Sequence, residues 1–133
     1  MSATIDKVAW IHLRDGKILC VRSKGKDTYY LPGGKRESGE SDAEVLQREI
    51  EEELSVHIKP HSSTYFGTFA EQAHGKSHGM LVKMTCYIAE YEGQLSPASE
   101  IDVMDWLTYE DRPRVSAVVQ IIFDKLFERN LLA

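Results

Sequence analysis

Glutamates crowd into one short stretch of this 133-residue sequence, at Glu49, Glu51, Glu52 and Glu53. On a helix, residues three and four apart share a face, so Glu49, Glu52 and Glu53 would present their carboxylates together. Like charges at this spacing repel, and either solvent or a bound cation must offset the repulsion. Hard divalent cations bind such oxygen sets, and Mg²⁺ usually takes substrate phosphate oxygens as well. The spacing leaves two interpretations open: a divalent-metal site and a solvated acidic helix.

The element that must position these carboxylates is a helix with a clearly marked start. Ser41 is a good N-cap, Glu44 completes a capping-box pattern, and Asp42 suits the positive first turn. Apolar residues then recur at helical spacing, at Ala43, Leu46, Ile50 and Leu54. The carboxylates fall beside this stripe rather than opposite it, so we expect them at the edge of the buried interface. The preceding "PGG" must fold back beside the helix, where its carbonyls could join them.

Strand-like runs make up most of the remaining sequence. "KVAWIHL" and "KILCVRS" flank the hairpin turn signal Asp15-Gly16, "TYYLP" is extended, and "GGKRESGE" is predicted to be a loop. "STYFGTFAEQ" and "GMLVKMTCYIAEYEG" predict two longer strands, joined by a loop that exposes His74 and His78. "DVMDWLTY" follows as a strand and "SAVVQIIFDKL" as an amphipathic helix. This order predicts an α/β (α+β) fold, an α/β/α sandwich with a mixed β-sheet.

Length and composition limit the protein's class. We expect one domain over residues 1–133, since this length supports one core. A net charge of −5 argues against a stable nucleic-acid complex. No apolar run approaches the roughly 20 residues of a membrane span, and the first ten residues lack signal-peptide features. The two cysteines, Cys20 and Cys86, are predicted to be small buried residues, and a cytoplasmic location is the simplest interpretation.

From Gly34 onwards the sequence resembles the Nudix box, G-x5-E-x7-R-E-U-x-E-E-x-G-U, in which U is a bulky aliphatic residue. Every specified position matches except one, because Ser55 stands where the box has glycine. Glycine there favours a left-handed helix end, so we expect either a strained turn or a different helix end at Ser55. The flanking "YYLPGGK" and the strand, loop and helix order also resemble this family. The matching positions are Gly34, Glu40, Arg48, Glu49, Ile50, Glu52, Glu53 and Val56.

The resemblance implies roles for these residues. In Nudix hydrolases the box helix holds Mg²⁺, or Mn²⁺ as a substitute, against a diphosphate. The resemblance therefore assigns catalysis and metal binding to Glu49, Glu52 and Glu53, with Gly33 contributing a carbonyl oxygen. It gives Gly34, Glu40 and Arg48 a structural role, in which Glu40 and Arg48 brace the loop against the helix.

Residues outside the box are candidates for contacts with substrate. Arg22, Lys24 and Lys35 lie where they could bind phosphate, a ligand well suited to the arginine fork. Tyr30 could stack on a base, while one residue of the Tyr29–Tyr30 pair is expected to pack in the core.

Glu100 resembles a metal ligand or catalytic base that some family members carry on a later loop. It precedes "IDVMDW", whose alternation predicts Ile101 and Val103 on one face. Loops at such positions can hold a residue over a cleft beside a rigid sheet. The alternative interpretation is a loop carboxylate in water.

The resemblance implies a metal-dependent hydrolase that cleaves the diphosphate linkage of a nucleoside diphosphate linked to another group. A nucleoside triphosphate, as in mutator-type pyrophosphohydrolases, is the first expectation. Nucleotide sugars, dinucleoside polyphosphates and capped RNA ends stay open. The alternative is a non-catalytic Nudix domain that binds a nucleotide and regulates a partner. The isomerase branch of the family needs a cysteine and a glutamate elsewhere. We expect a monomer or homodimer with no membrane association.

Overall fold

The computed structural model describes residues 3–72 and 79–133. The predicted exposure of His74 and His78 lies outside these residues. In chain order the elements are β1 (Ala3–Ile11), β2 (Leu13–Arg14), β3 (Lys17–Ser23), β4 (Gly33–Lys35), α1 (Asp42–Leu54), β5 (His57–Ile58), β6 (Thr64–Gln72), β7 (Met80–Ile88), β8 (Tyr91–Glu92), β9 (Ile101–Leu107), a 3-10 helix (Tyr109–Arg114) and α2 (Ala117–Glu128).

The strands form a mixed sheet and two smaller ones. The largest sheet has the order β4-β1-β7-β6, in which β1 runs parallel to β7 and the other neighbours are antiparallel. The second sheet has the order β2-β3-β9, and β5 pairs with β8. Asp15 and Gly16 both have positive φ in the β2–β3 turn, as the hairpin signal predicts. The predicted mixed sheet is confirmed.

Two apolar cores lie on opposite faces of the largest sheet, because side chains of β1 alternate between its faces. Val8 and Trp10 are buried in the core that contains the apolar side of α1. Ala9 and Ile11 are buried in the core that contains α2. Helices therefore cover both faces, and the predicted α/β/α sandwich is confirmed.

The "GGK" segment, predicted as loop, instead forms the edge strand β4 beside β1. The close contact between β4 and β1 depends on a glycine. Gly33 has φ +146°, and a Cβ added to it would lie 2.1 Å from the Val8 carbonyl oxygen. A side chain at residue 33 would push β4 away from β1, and with it the segment that leads into α1.

Two further predictions were wrong in detail. Ala43 is exposed, and Val45 takes the buried position on α1 instead. Ile101 and Val103 do not share a face, because a register shift in the β3–β9 pairing inserts one extra residue between them. Ile101 accordingly packs in the core of α1, and Val103 packs against the core of α2.

The run from Met80 to Glu92, predicted as one strand, is divided into β7 and β8. Cys20 and Cys86 are buried free thiols, as predicted, and burial raises the pKa of Cys86 to about 12. Across residues 3–72 and 79–133, no helix has both the length and the apolar character needed to cross a membrane.

Candidate active site

The start of α1 is fixed by the predicted capping box. The Ser41 hydroxyl accepts a hydrogen bond from the Glu44 amide at 3.2 Å, and the Glu44 carboxylate accepts one from the Ser41 amide at 2.9 Å. Asp42 accepts a hydrogen bond from the Tyr87 hydroxyl and pairs with Arg36, each at 2.5 Å. These contacts fix the helix start, and so the direction in which its later glutamates point.

Glu49 and Glu53 come together on the inner side of α1. The Glu53 residue is only 3% exposed, and its Oε1 accepts a hydrogen bond from the Gly33 amide at 3.1 Å. The Glu49 carboxylate occupies space that only glycine at position 34 leaves open, since a Cβ there would lie 2.4 Å from Glu49 Cδ. Gly33 and Gly34 of β4 therefore form the wall against which both carboxylates pack.

The ionised form of Glu53 is electrostatically unfavourable. Burial raises the pKa of Glu53 to about 9; the Gly33 amide opposes the rise, and Glu49 and Glu100 add to it. The last turn of α1 contains no basic residue, although the negative end of the helix dipole favours a cation there. Glu53 therefore holds a proton at neutral pH in the metal-free protein.

Arg48 connects the helix to the preceding loop. Its Nε and Nη2 donate to the two oxygens of Glu40, each at 2.8 Å, and Nη2 also donates to the Lys35 carbonyl at 3.1 Å. The bidentate contact with Arg48, together with the Glu37 amide, lowers the pKa of Glu40 to about 2. Arg48 Nη1 donates to Glu49 Oε1 at 2.7 Å, so the same guanidinium also orients a carboxylate of the buried pair.

Glu52 is more exposed than that pair. Its side chain is 55% exposed, and its carboxylate lies 3.9 Å from Arg48 Nη1, the nitrogen that also contacts Glu49. In the described part of the chain, no three acidic, histidine or cysteine side chains are arranged so that they could hold a metal ion as they stand. The donor chemistry nevertheless fits a hard cation, because such an ion would relieve the burial of Glu53, whose pKa is raised, beside the Glu49 carboxylate.

The loop before β9 brings Glu100 to the same place. The Ser96 amide donates to the Leu54 carbonyl at 3.0 Å, and the Ala98 amide donates to the Glu53 carbonyl at 2.9 Å. The Glu100 carbonyl accepts from the Lys24 amide at 2.9 Å. The end of α1 and the loop are therefore linked, and the Glu100 side chain is near enough to affect the pKa of Glu53.

Ser55 adopts the strained turn, the first of the two expected outcomes. Its φ is 65° and ψ is 23°, and its amide donates to the Glu51 carbonyl. Its hydroxyl donates to the Ser96 carbonyl at 3.2 Å, a contact that glycine could not make. The serine thus adds a bond to the loop that carries Glu100.

The predicted phosphate-binding residues are spread around the site. Arg22 lies against Tyr29, with its guanidinium carbon 5.3 Å from the ring centroid. Tyr29 is buried, so the prediction that one of the two tyrosines packs in the core is confirmed. Lys24 and Lys35 are exposed, the first directly after β3 and the second at the end of β4.

Tyr30 is half-buried beside the carboxylates, and its hydroxyl hydrogen-bonds to that of Ser23. Burial raises the pKa of the Tyr30 phenol; the bond to Ser23 opposes the rise, while Glu53 and Glu100 add to it. Its ring therefore lies within electrostatic reach of both carboxylates.

Lys7 also lies within electrostatic reach of the carboxylates, and sequence reasoning missed it. It lies directly across from Lys35 in the β1–β4 pairing, with its Nζ 5.9 Å from the Tyr30 ring centroid. One signal was available: Lys7 directly precedes the apolar run that begins at Val8. Its place beside the glutamates was hidden, because nothing in the sequence showed that β4 pairs with β1.

The chain folds as an α/β/α sandwich in which two glycines of β4 pack beside an acidic helix. This combination defines a recognisable class of protein. The family model for the NUDIX domain matches residues 5–123. The chain belongs to the Nudix family. The prediction of a Nudix pyrophosphohydrolase is confirmed at the level of enzyme class. No curated protein is significantly similar to the chain in sequence.

Solved structures share the fold. The chain is 24% identical to the E. coli ORF135 protein, with 96% of this chain and 91% of that chain covered and a TM-score of 0.75. It is 21% identical to the MutT NUDIX hydrolase from Burkholderia pseudomallei, with 94% and 99% covered and a TM-score of 0.77. It is 20% identical to a bifunctional NMN adenylyltransferase/ADP ribose pyrophosphatase from Francisella tularensis complexed with AMP and Mn ion, with 98% and 43% covered and a TM-score of 0.66.

Proposed function

We propose that this chain is a divalent-metal-dependent hydrolase that cleaves the diphosphate linkage of a small nucleotide, with a nucleoside triphosphate as its substrate. The observation that carries the proposal is the adjacent pair Glu49 and Glu53, in which Glu53 is buried and Glu49 is partly buried. Two adjacent carboxylates that are even partly removed from water cost stability unless something compensates them. A bound cation supplies that compensation, and a diphosphate is the anion that such a cation brings into the site.

Mg²⁺, with Mn²⁺ as a substitute, would be held by Glu49 and Glu53, and Glu52 and the Gly33 carbonyl would supply further oxygens. The Mn ion named for the Francisella tularensis protein supports this choice. When bound, the metal neutralises the diphosphate and makes a coordinated water more acidic. The Gly33 amide orients Glu53 and the Arg48 guanidinium orients Glu49, so the two carboxylates are held before any ligand arrives.

Glu100 is the proposed base. Its carboxylate would accept a proton from the water whose oxygen attacks phosphorus, as the anhydride P–O bond breaks and the phosphate group leaves. The loop bonds to the Glu53 and Leu54 carbonyls keep Glu100 beside the helix end. These bonds allow Glu100 to act on the same substrate that Glu49 and Glu53 bind.

The rest of the substrate would extend towards Tyr30, whose ring would stack on the nucleobase. Phosphate oxygens would be bound by Arg22, Lys24 and Lys35. The choice of a nucleoside triphosphate follows the resemblance to mutator-type pyrophosphohydrolases, and the Burkholderia pseudomallei structure with the same fold is a MutT NUDIX hydrolase. The enzyme would work as a monomer or homodimer.

A compound panel tests the proposal. Nucleoside triphosphates, nucleotide sugars and dinucleoside polyphosphates would be incubated with Mg²⁺ or Mn²⁺, with phosphate and pyrophosphate release as the measure. We expect turnover of a triphosphate that stops in excess chelator and in Glu53→Gln. Glu51→Gln is the matched control, because Glu51 is exposed on the same helical turn. Full turnover in excess chelator would contradict the metal requirement, and turnover of another compound class alone would contradict the substrate.

A further inference from the structure

Lys7 is a half-buried cation in β1, between Asp6, which pairs with Arg36, and Val8, which is buried in the core of α1. Its side chain shares a region with Tyr30, while Val8 points to the opposite face of β1, towards α1. Burial lowers the pKa of Lys7, and Lys35 lowers it further, whereas Glu53, Glu49 and Glu100 favour its charged form. Lys7 therefore lies within electrostatic reach of the three proposed site carboxylates.

The ammonium group of Lys7 has no ion pair or hydrogen bond within residues 3–72 and 79–133. A second cation, Lys35, lies directly opposite it on β4, and like charges directly opposite each other destabilise a strand pair. The Tyr30 ring is the contact that Lys7 makes instead, and a partly desolvated cation is costly unless an anion also pairs with it. The carboxylates do not make that pair, although they are close enough to affect its titration.

We propose that Lys7 is a substrate-binding residue whose ammonium group donates a hydrogen bond to a phosphate oxygen of the substrate. This inference rests on the proposed function, because the phosphate comes with the nucleotide. Lys7 and Lys35 would then hold the anion from β1 and β4, across from the carboxylates that hold the cation. The pair of lysines destabilises the strand pairing without substrate and becomes favourable when phosphate is bound.

Binding of imidodiphosphate, a diphosphate that resists hydrolysis, tests this role. Calorimetric titration in the presence of Mg²⁺ would compare wild type with Lys7→Met, Lys7→Arg and, as a matched control, Lys17→Met on the exposed β2–β3 hairpin. We expect Lys7→Met to weaken imidodiphosphate binding about tenfold or more, the scale of a lost hydrogen bond to a charged group. Lys7→Arg should retain most of the affinity, and Lys17→Met should match wild type.

Titration with Mn²⁺ alone distinguishes a substrate-binding role of Lys7 from a merely structural role. Removal of a positive charge should leave Mn²⁺ affinity unchanged or tighten it, so a loss confined to imidodiphosphate supports the proposal. In steady-state kinetics, Lys7→Met should raise KM about tenfold and change kcat less than about threefold. Imidodiphosphate affinity within twofold of wild type, or a loss of kcat at unchanged KM, would overturn the role of Lys7.

Two further results have defined meanings. Lys7→Gln keeps the length of a polar side chain without its charge, and it replaces Lys7→Met if thermal melting shows that the methionine variant is misfolded. A wild-type protein that binds neither Mn²⁺ nor imidodiphosphate would remove the proposed function, and the role of Lys7 with it. Wild-type binding that Lys7 variants do not alter would remove the role of Lys7 alone.

Discussion

The two ends of α1 are built in opposite ways. At the first turn, Ser41 and Glu44 satisfy each other's amides and Asp42 pairs with Arg36, so each of these carboxylates has a partner. At the last turns, Glu49 pairs with Arg48, but Glu53 is buried against Glu49 and the final turn contains no basic residue. The first end therefore serves stability, whereas the second end buries a carboxylate whose ionised form is unfavourable.

The largest effect is expected from Glu53→Gln, which removes a carboxylate proposed to bind the metal. Turnover should fall about 10²-fold or more, the scale of losing a charge-stabilising or proton-transferring group. The fold should persist, because glutamine can still accept the Gly33 hydrogen bond and, like protonated Glu53, carries no charge beside Glu49. Kinetic assays and thermal melting against Glu51→Gln check both points. Unchanged turnover with intact metal binding would move the essential role to Glu49, Glu52 or Glu100.

Glu100→Gln tests whether catalysis also requires a residue outside α1, on the loop before β9. The Glu100 carboxylate would accept a proton from water and would not contact the nucleobase. We therefore expect kcat to fall at least about tenfold with little change in KM. The two constants, measured beside those of Glu53→Gln, test this split. A Glu100→Gln variant with wild-type kcat would confine the chemistry to α1.

Ser41→Ala probes the satisfied end. Loss of the N-cap hydroxyl should lower the free energy of unfolding by about 1 kcal/mol, the usual cost of such a cap. Turnover at saturating substrate should not change, since Ser41 is remote from Glu49 and Glu53 along the helix. Urea unfolding and the same kinetic assay measure the two effects. A stability loss together with a large loss of turnover would show that the two ends are not separable.

Ser55→Gly should have the smallest effect. Glycine relieves a left-handed strain on the order of 1 kcal/mol but loses the exposed hydrogen bond to Ser96, a loss of about the same size. The net change in unfolding free energy should be close to zero. Ser55→Ala, which keeps the strain and loses the bond, should be clearly less stable than Ser55→Gly. Equal stability of the two variants would contradict this account of the helix end.

Much of this organisation can be predicted from the sequence, because it follows from local patterns. The capping box, the helix over Asp42–Leu54 and the buried Leu46 are properties of helical spacing and of short-range hydrogen bonds. The left-handed turn at Ser55 follows from a single departure from the box. Each of these needs information from only a few neighbouring residues.

The parts that escaped prediction depend on contacts between distant segments. Arg48 contacts both Glu49 and Glu52, and its position depends on the bidentate contact with Glu40 in the preceding loop. The position of Lys7 depends on β4 pairing with β1, and the face of Ile101 depends on a register shift against β3. Periodicity predicts which residues share a face of one element, but not which distant segment covers that face.

The second end of α1 carries an unfavourable carboxylate, Glu53, whose effect should appear in the pH dependence of stability. Because the folded-state pKa of Glu53, about 9, lies above its ordinary value of 4.5, the stability of the metal-free protein should be greatest below pH 4.5 as far as Glu53 is concerned and fall as pH rises towards 9. Urea unfolding of wild type and Glu53→Gln across this range isolates that contribution.

The account predicts that wild type loses stability relative to Glu53→Gln as pH rises, and that Mn²⁺ restores it to wild type only. Parallel stability curves for the two proteins, with no difference in their response to Mn²⁺, would contradict it.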